Sequence, residues 1–370
     1  MKKCDLILLS WNHLELTKPC VESILKNTHI PSNLIIVDNG SNKETRDYLK
    51  TIKGNGTIDV EILYNERNEG FVGGMNKGMR HSSASFVCLL NNDIVVTDSW
   101  LSPMIGLAEN YEDIGIVNPC SNTTHAGATS PEGLNEFMQN RPVQSGFSEM
   151  GAAVGFCMLI KREVINKIGY LAEDLNRFSY EDTGYSLRAK MAGYRCVMAK
   201  GAYIFHHTEG TIGKIKGHKR IYKENQAKFE AKWGKALRIF FVTPYNLYSE
   251  YNLFKRDLEK AYNLVGLNNF VYFVYRDRKK IGYSSLFQRF NVIEHGNIYL
   301  IPFAAWPNLF DFFCLFRIIK RSKKRYNVIL IRASLQSIVK KLRFIHKAEV
   351  FDINYNFDQG YLWKKRFLYR

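Results

Sequence analysis

Nowhere does the 370-residue chain carry a Cys-x-x-Cys pair; its seven cysteines, at 4, 20, 88, 120, 157, 196 and 314, are far apart and odd in number. That pattern suits reduced thiols in a cytosol better than a disulfide framework or a zinc site. A secretory signal is also missing, since Asp5 interrupts the N-terminus before any short apolar core can form. The longest apolar stretch, 298–319, is broken by Pro302, Pro307, Asn308, Asp311 and Arg317, so no membrane span is expected. Acidic residues are scarce in one part only. Residues 1–236 hold 28 Lys+Arg against 26 Asp+Glu, whereas residues 237–370 hold 24 against 9, which places nearly all of the net charge of +17 in the second part. A basic surface attracts anionic lipid, nucleic acid or phosphorylated substrates, and composition does not choose among them.

What is present is a rhythm of short apolar runs and helical patterns. Residues 5–10, 33–38, 58–65 and 85–91 read as strands, and 16–28 reads as a helix with Val21, Ile24 and Leu25 on one face. Apolar strands bounded by helices imply βαβ crossovers and a mostly parallel sheet covered on both faces. Ligands of such sheets sit beyond the carboxyl ends of the strands. "SWN" (10–12), "VDNGS" (37–41) and "NND" (91–93) are all strand ends of that kind, so they should line one crevice. Residues 120–148 read as a long loop or lid with little regular structure. A strand at 152–160, helices at 162–169 and 179–193, and a strand entering a glycine-containing, mobile-looking segment at 208–217 follow; a polar helix at 218–233 closes the part. At Leu237 the rhythm restarts, with strands at 237–244, 269–276, 326–332 and 348–354 and helices near 249–264, 308–322 and 334–346. Two α/β domains are therefore expected, 1–236 and 237–370.

The run "LLNNDIVV" (89–96) interrupts a buried strand with three polar residues. An Asx turn explains this, because Asn and Asp satisfy their own backbone. A metal-held diphosphate explains it as well, because Mg²⁺ or Mn²⁺ needs few protein carboxylates once phosphate oxygens and water fill its shell. "YEDTG" (180–184) opens a helix with two acids, which complement the helix dipole or supply a general base. His206 and His207 end a strand, where neighbouring side chains face opposite ways. "NEGFVGG" (68–74) lacks the spacing of a dinucleotide fingerprint directly after the first strand.

Taken in order, "LLSWN" (8–12), "IIVDNGS" (35–41), "NERNEGFVGGMNKG" (65–78), "LLNND" (89–93), "YEDTGYSLRAKMAGY" (180–194) and "AYIFHH" (202–207) resemble the family-2 glycosyltransferases over residues 4–235. The resemblance implies a Rossmann-like GT-A domain and an inverting transfer of sugar from a nucleotide-sugar donor to a hydroxyl of a glycan or lipid-linked glycan acceptor. It implies donor contacts from Ser10, Asn12, Asp38, Asn68, Gly70, Gly73, Asn92 and Asp93, with Asp38 on the nucleobase. It implies Mn²⁺ or Mg²⁺ held by Asp93 and His206, with His207 as fallback, and a base, Asp182, with Glu181 orienting the acceptor or the base. The family's strand-end Asp-x-Asp is here Asn91-Asn92-Asp93, and its third helix acid is Gly184. A rhamnosyltransferase-like role in surface polysaccharide assembly follows from the same resemblance. The rival on a similar sheet, a sugar-1-phosphate or nucleotidyl transferase, needs a glycine- and lysine-rich loop after the first strand, and "SWNHLELT" offers none.

"LRIFFVTP", "RYNVILIRAS" and "VFDINYNFDQGYLWKKRFLYR" resemble the N-terminal half of family-4, GT-B glycosyltransferases over 237–370. The donor-binding half of such enzymes does not follow, so this smaller Rossmann-like domain is not expected to catalyse transfer alone. The basic aromatic stretch 308–327 reads either as a helix packed on the second sheet or as a surface facing anionic membrane. No nucleic-acid-binding module is recognisable. These readings place the protein in the cytoplasm, and the second reading of 308–327 would place it peripherally on the cytoplasmic face of the inner membrane. The competing reading is a catalytically decayed transferase serving as a membrane- or partner-binding scaffold.

Overall fold

The computed structural model describes residues 3–123, 130–141, 145–174, 179–207, 217–304, 307–320 and 325–368, without the side chains of residues 135, 307, 308 and 359. The chain divides into two compact units, Met1–Ser148 with Ala152–Phe229, and Glu149–Gly151 with Glu230–Arg370.

The first unit is built on one sheet. Its early strands are β1 (Cys4–Ser10), β2 (Ser32–Asp38), β3 (Ile58–Tyr64) and β4 (Phe86–Asn91), and the later ones are β5 (Ile94–Val96), β6 (Ile114–Ser121), β7 (Phe147–Glu149), β8 (Cys157–Lys161) and β9 (Arg195–His206). The order is β3-β2-β1-β4-β8-β6-β9-β5, with β7 paired on β9. From β3 to β4 all neighbours are parallel. Beyond β4, β8 runs antiparallel to both β4 and β6, and β5 runs antiparallel to β9. Since β6 also runs parallel to β9, the sheet is mostly parallel as expected; the directions of β8 and β5 were not legible, because a strand buried on both faces reads as apolar in either direction.

Alternation along β1 sorts its two faces. Leu6 and Leu8 pack with Leu34, Ile36 and Leu90 under α1 (Leu14–Asn27) and α4 (Leu101–Asn110). On the other face lies α3 (Gly70–His81), which meets the sheet through glycines. A Cβ on Gly74 would stand 2.3 Å from Leu9 Cδ1, and one on Gly78 would stand 2.4 Å from Ile7 Cγ2. At Gly78 a methyl would press on a β-branched side chain, whereas at Gly74 the end of Leu9 would have to turn aside. Helix α2 (Lys43–Thr51) starts at Asn42, whose side chain accepts the Thr45 N–H.

The expectation of little regular structure over 120–148 holds only in part: β6 runs to Ser121, α5 (Leu134–Asn140) crosses the middle, and β7 ends the stretch. The mobile-looking segment placed at 208–217 lies, up to residue 216, outside the described residues. Helices α6 (Arg162–Ile168) and α7 (Glu181–Met191) and most of α8 (His218–Trp233), up to Phe229, complete the unit.

In the second unit β10 (Arg238–Val242), β11 (Phe270–Arg276), β12 (Ile298–Phe303), β13 (Val328–Ile331) and β14 (Glu349–Asp352) form a sheet in the order β12-β11-β10-β13-β14. Every pairing in it is parallel. One face packs Ile239 and Phe241 against α9 (Tyr251–Val265) and α10 (Tyr283–Phe290). The other packs Phe240 and Val242 against α11 (Pro307–Lys320) and α12 (Ala333–Lys341), followed by α13 (Arg343–His346); α14 (Gln359–Lys365) comes last. Among the described residues no helix is long and apolar enough to cross a membrane, and all seven cysteines are buried.

Candidate active site

The parallel register puts Ser10 opposite Asp38 and Leu9 opposite Asn91, so the carboxyl ends of β2, β1 and β4 form one edge, as expected of "SWN", "VDNGS" and "NND". Beyond β1 the backbone turns through two consecutive left-handed residues, Asn12 (φ 54°) and His13 (φ 51°), before α1 begins. Residues without glycine's freedom hold such angles only where their surroundings fix them. Here the fixing is visible: Asn12 N–H donates to Ser41 Oγ (3.0 Å), and Asn12 Oδ1 accepts from Asn42 N–H (2.7 Å). Ser10 is fully buried, with its hydroxyl 3.4 Å from that of Thr17.

Asp38 is fully buried and already engaged. Its Oδ1 accepts the Ser41 N–H (3.0 Å), and its Oδ2 accepts from Arg46 Nε (2.8 Å). Arg46 carries no motif of its own in the sequence, although it sits only eight residues downstream on α2. Asn68, an exposed residue, uses its Oδ1 to accept from Asn39 Nδ2 (3.0 Å) and from Gly70 N–H (2.8 Å). Gly70 has φ 77°, and a Cβ on Gly73 would meet only Glu69, at 3.1 Å from its Cβ. In this stretch the tight packing falls on Gly74 and Gly78 instead.

Asn92 and Asp93 form the link between β4 and β5. Asn92 points into the unit, donating from Nδ2 to Thr17 Oγ1 (2.9 Å). Asp93 points the other way. The antiparallel pairing of β5 with β9 sets Ile94 opposite His206, and His207 N–H donates to Asp93 O (2.8 Å). His206 Nε2 consequently lies 3.4 Å from Asp93 Oδ1. The His207 ring instead stacks edge-on against Phe205, at 4.9 Å. Asp93 Oδ1 is buried without a hydrogen-bond partner. Asn122, which no sequence motif marks, grips residue 206 at both ends, accepting from its N–H (2.8 Å) and donating to its carbonyl (3.0 Å).

An orphaned carboxylate oxygen beside an imidazole nitrogen fits a divalent cation. Donors about 2.0–2.2 Å from one ion come within ~3–3.5 Å of each other. Among the described residues no cluster of three or more His, Cys, Asp or Glu is present, so any ion at Asp93 and His206 would draw its other ligands from substrate and water.

The acidic pair occupies the start of α7, after two further left-handed residues, Ser179 (φ 77°) and Tyr180 (φ 70°). Asp182 Oδ2 accepts the Gly155 N–H (3.0 Å), and its Oδ1 accepts the Thr183 N–H (2.5 Å) and hydroxyl (3.1 Å). Burial nonetheless pushes its carboxyl above the ordinary range. Glu181 is raised by burial first and by the charge of Asp182 second, and its Oε2 has no hydrogen-bond partner. The helix start favours the charged forms, but desolvation exceeds that effect.

Residues 155 and 156 join the halves. Gly155 holds Asp182; Phe156 accepts the Asn91 N–H at its carbonyl (3.0 Å) and stacks its ring on His206 (centroids 4.9 Å, 18° between planes). Asn118, buried on β6, holds this loop through Val154 N–H (3.2 Å), Val154 O (2.8 Å) and Cys157 O (2.5 Å). No sequence motif marks Asn118 or Phe156, because their partners lie 36 or more residues away, or on strands whose direction the pattern leaves open.

This parallel half-sheet, with a carboxylate just past its fourth strand and acids at a later helix start, is the arrangement that the resemblance to family-2 glycosyltransferases implies. Residues 5–169, in the first unit, match the family model Glycosyl transferase family 2. An uncharacterized protein of Sinorhizobium fredii, y4gI, is 27% identical over 230 residues, covering 56% of this chain and 25% of its own length. Glycosyltransferase AglE of Haloferax volcanii is 22% identical over 197 residues, covering 53% of this chain and 64% of its own. The chain thus spans less than two thirds of the length of these relatives. A mannosyltransferase of Pyrobaculum calidifontis, solved with GDP-Man and Mn²⁺, aligns over 63% of this chain and 65% of its own at 14% identity and a TM-score of 0.47.

Proposed function

We propose that the protein is an inverting, metal-dependent glycosyltransferase that moves a sugar from a nucleotide-sugar donor to a hydroxyl of a glycan acceptor, in the assembly of a surface polysaccharide. The observation that carries this reading is the convergence of the partnerless Asp93 Oδ1 with His206 Nε2, 3.4 Å apart, at the strand edge. Asp93 and His206 would hold Mn²⁺ or Mg²⁺, which as a Lewis acid offsets the charge of a departing diphosphate. Asn12 would line the floor on which the nucleoside lies, with Ser10 and Asp38 buried behind it, and Asp38 would act there by holding the partly exposed Arg46 guanidinium.

Asp182 is assigned the base. Its raised proton affinity suits it to take the acceptor hydroxyl proton, while the bond to Gly155 N–H fixes its Oδ2. Glu181, held protonated by burial, can donate a hydrogen bond to the acceptor. Asn118 and Asn122 touch neither substrate and act by positioning loop 154–157 and His206. The all-parallel sheet of the second unit supports its kinship with the N-terminal half of a family-4 transferase. The archaeal hexosyltransferase Agl10 of Haloferax volcanii, 24% identical over 221 residues, is named for low-salt glycan biosynthesis, which accords with a glycan acceptor.

The test is a panel of nucleotide sugars scored for melting-temperature shift and nucleotide release, with Mn²⁺ and with chelator. One donor that stabilises the protein and is consumed only with metal is the expected result. Stabilisation by none of them, with no release, would leave the scaffold reading in place of the enzyme.

A further inference from the structure

Helix α11 buries Phe310, Cys314 and Ile318, four residues apart, against the second sheet. Its opposite side should therefore be polar. It is not. Leu309 is 51% exposed, Phe312 69%, Phe316 47% and Ile319 41%, at the three- and four-residue spacing of one continuous stripe. Phe344, on α13 packed beside α11, is 77% exposed. Single exposed apolar residues are ordinary, but a row of large ones along a helix marks a contact surface.

The charge around the stripe identifies what it contacts. The described residues of 307–347 include eight Lys and Arg and a single acid, Asp311, which is paired with Arg332. Lys320 lies over the Phe316 ring (5.1 Å), and Lys340, Lys341, Arg343 and Lys347 are exposed on α12, on α13 and just past it. Aromatic and aliphatic side chains flanked by ammonium and guanidinium groups match the boundary of an anionic bilayer, where rings enter the acyl edge and cations meet headgroup phosphates. A protein partner of ordinary composition would not call for so one-sided a charge.

We propose that the outer face of α11, extended by Phe344, is a monotopic docking surface for anionic phospholipid. This surface is independent of the transferase site, since it lies wholly in the second unit and its test reads no catalysis.

The test is flotation of the full chain with vesicles of phosphatidylcholine alone or containing phosphatidylglycerol. Binding is expected only with the anionic lipid and is expected to weaken as salt rises, the exposed cations being screened within about 8–10 Å. A Phe312→Ser/Phe316→Ser variant should lose on the order of tenfold or more in partitioning, with an unchanged melting temperature because both rings are exposed. Lys340→Glu/Lys341→Glu should lose at least tenfold, at roughly fivefold per basic residue removed. Three outcomes would overturn the proposal: no flotation of the wild type, flotation unchanged in both variants, or a wild type that self-associates and becomes monomeric with the serine variant. A variant that melts early would be replaced by Phe344→Ser, for which the same loss is expected.

Discussion

Replacing Asp182 by Asn removes the assigned base while keeping the shape of the side chain. In the native arrangement both carboxylate oxygens accept hydrogen bonds, Oδ1 from Thr183 and Oδ2 from Gly155 N–H. An amide keeps only one acceptor, so in either orientation an NH₂ faces an N–H donor. Leaving one buried donor unsatisfied costs about 1–3 kcal/mol. Against this, burial already disfavours the charged carboxylate, and Asn escapes that cost. The two effects oppose each other, so the melting temperature at neutral pH should move by no more than a few degrees. The rate should not be spared: loss of a general base costs on the order of 10²–10⁴-fold, about 3–5 kcal/mol in barrier height. Transfer to acceptor, measured with the donor that stabilises the wild type, should fall by that factor while donor affinity stays within a few-fold. Turnover within tenfold of wild type, at unchanged melting temperature, would refute the assignment and turn attention to Glu181.

Glu181 supplies a prediction about stability. Its carboxyl holds its proton more tightly in the folded protein, so between the unfolded pKa and the folded one the native state binds more protons than the unfolded state. Stability from this group is greatest at acid pH and declines as pH rises through the folded value, a tenfold difference in proton affinity being worth about 1.4 kcal/mol. Glu181→Gln should therefore raise the melting temperature at pH 8 more than at pH 5; an equal gain at both would show that the group is not desolvated. Asp93→Ala and His206→Ala should each abolish the Mn²⁺-dependent part of donor binding while leaving metal-free binding nearly unchanged, as calorimetry would read; retained metal dependence in both would remove the shared site. Gly78→Ala forces a methyl within 2.4 Å of Ile7 Cγ2 and 3.3 Å of Val37 Cγ2, and should cost about 1–3 kcal/mol in chemical denaturation. A neutral result would mean that α3 can lift from the sheet.

Legibility followed the range of the interactions. The ends of β1, β2 and β4 were readable because each is a local change from apolar to polar, and the chain rules of parallel sheets then bring them together. The acids of α7 were readable as a helix start. The left-handed pairs Asn12–His13 and Ser179–Tyr180 were not, since nothing in those side chains demands the conformation, and at Asn12 only distant partners such as Ser41 and Asn42 impose it. The strand expected from 152 begins at Cys157, because residues 151–156 are drawn into a turn held by Asn118 and Ser186. Choosing between His206 and His207 required β5, a three-residue strand too short to declare itself.

Phe156 has a consequence for how this site can change. Its carbonyl is committed to the fourth strand, its ring to His206, and the amide before it to Asp182. A replacement at 156 removes the ring from His206 directly, and any shift of its backbone is passed to Asn91 and, through Gly155, to Asp182. Substitutions at 93 and 206, which are in contact, should be non-additive as a pair, whereas coupling of either to 182 would run through residues 155 and 156. A lineage diversifying its acceptor through this loop would have to re-optimise its donor at the same time, whereas changes at the Asp38–Arg46 end could accumulate independently.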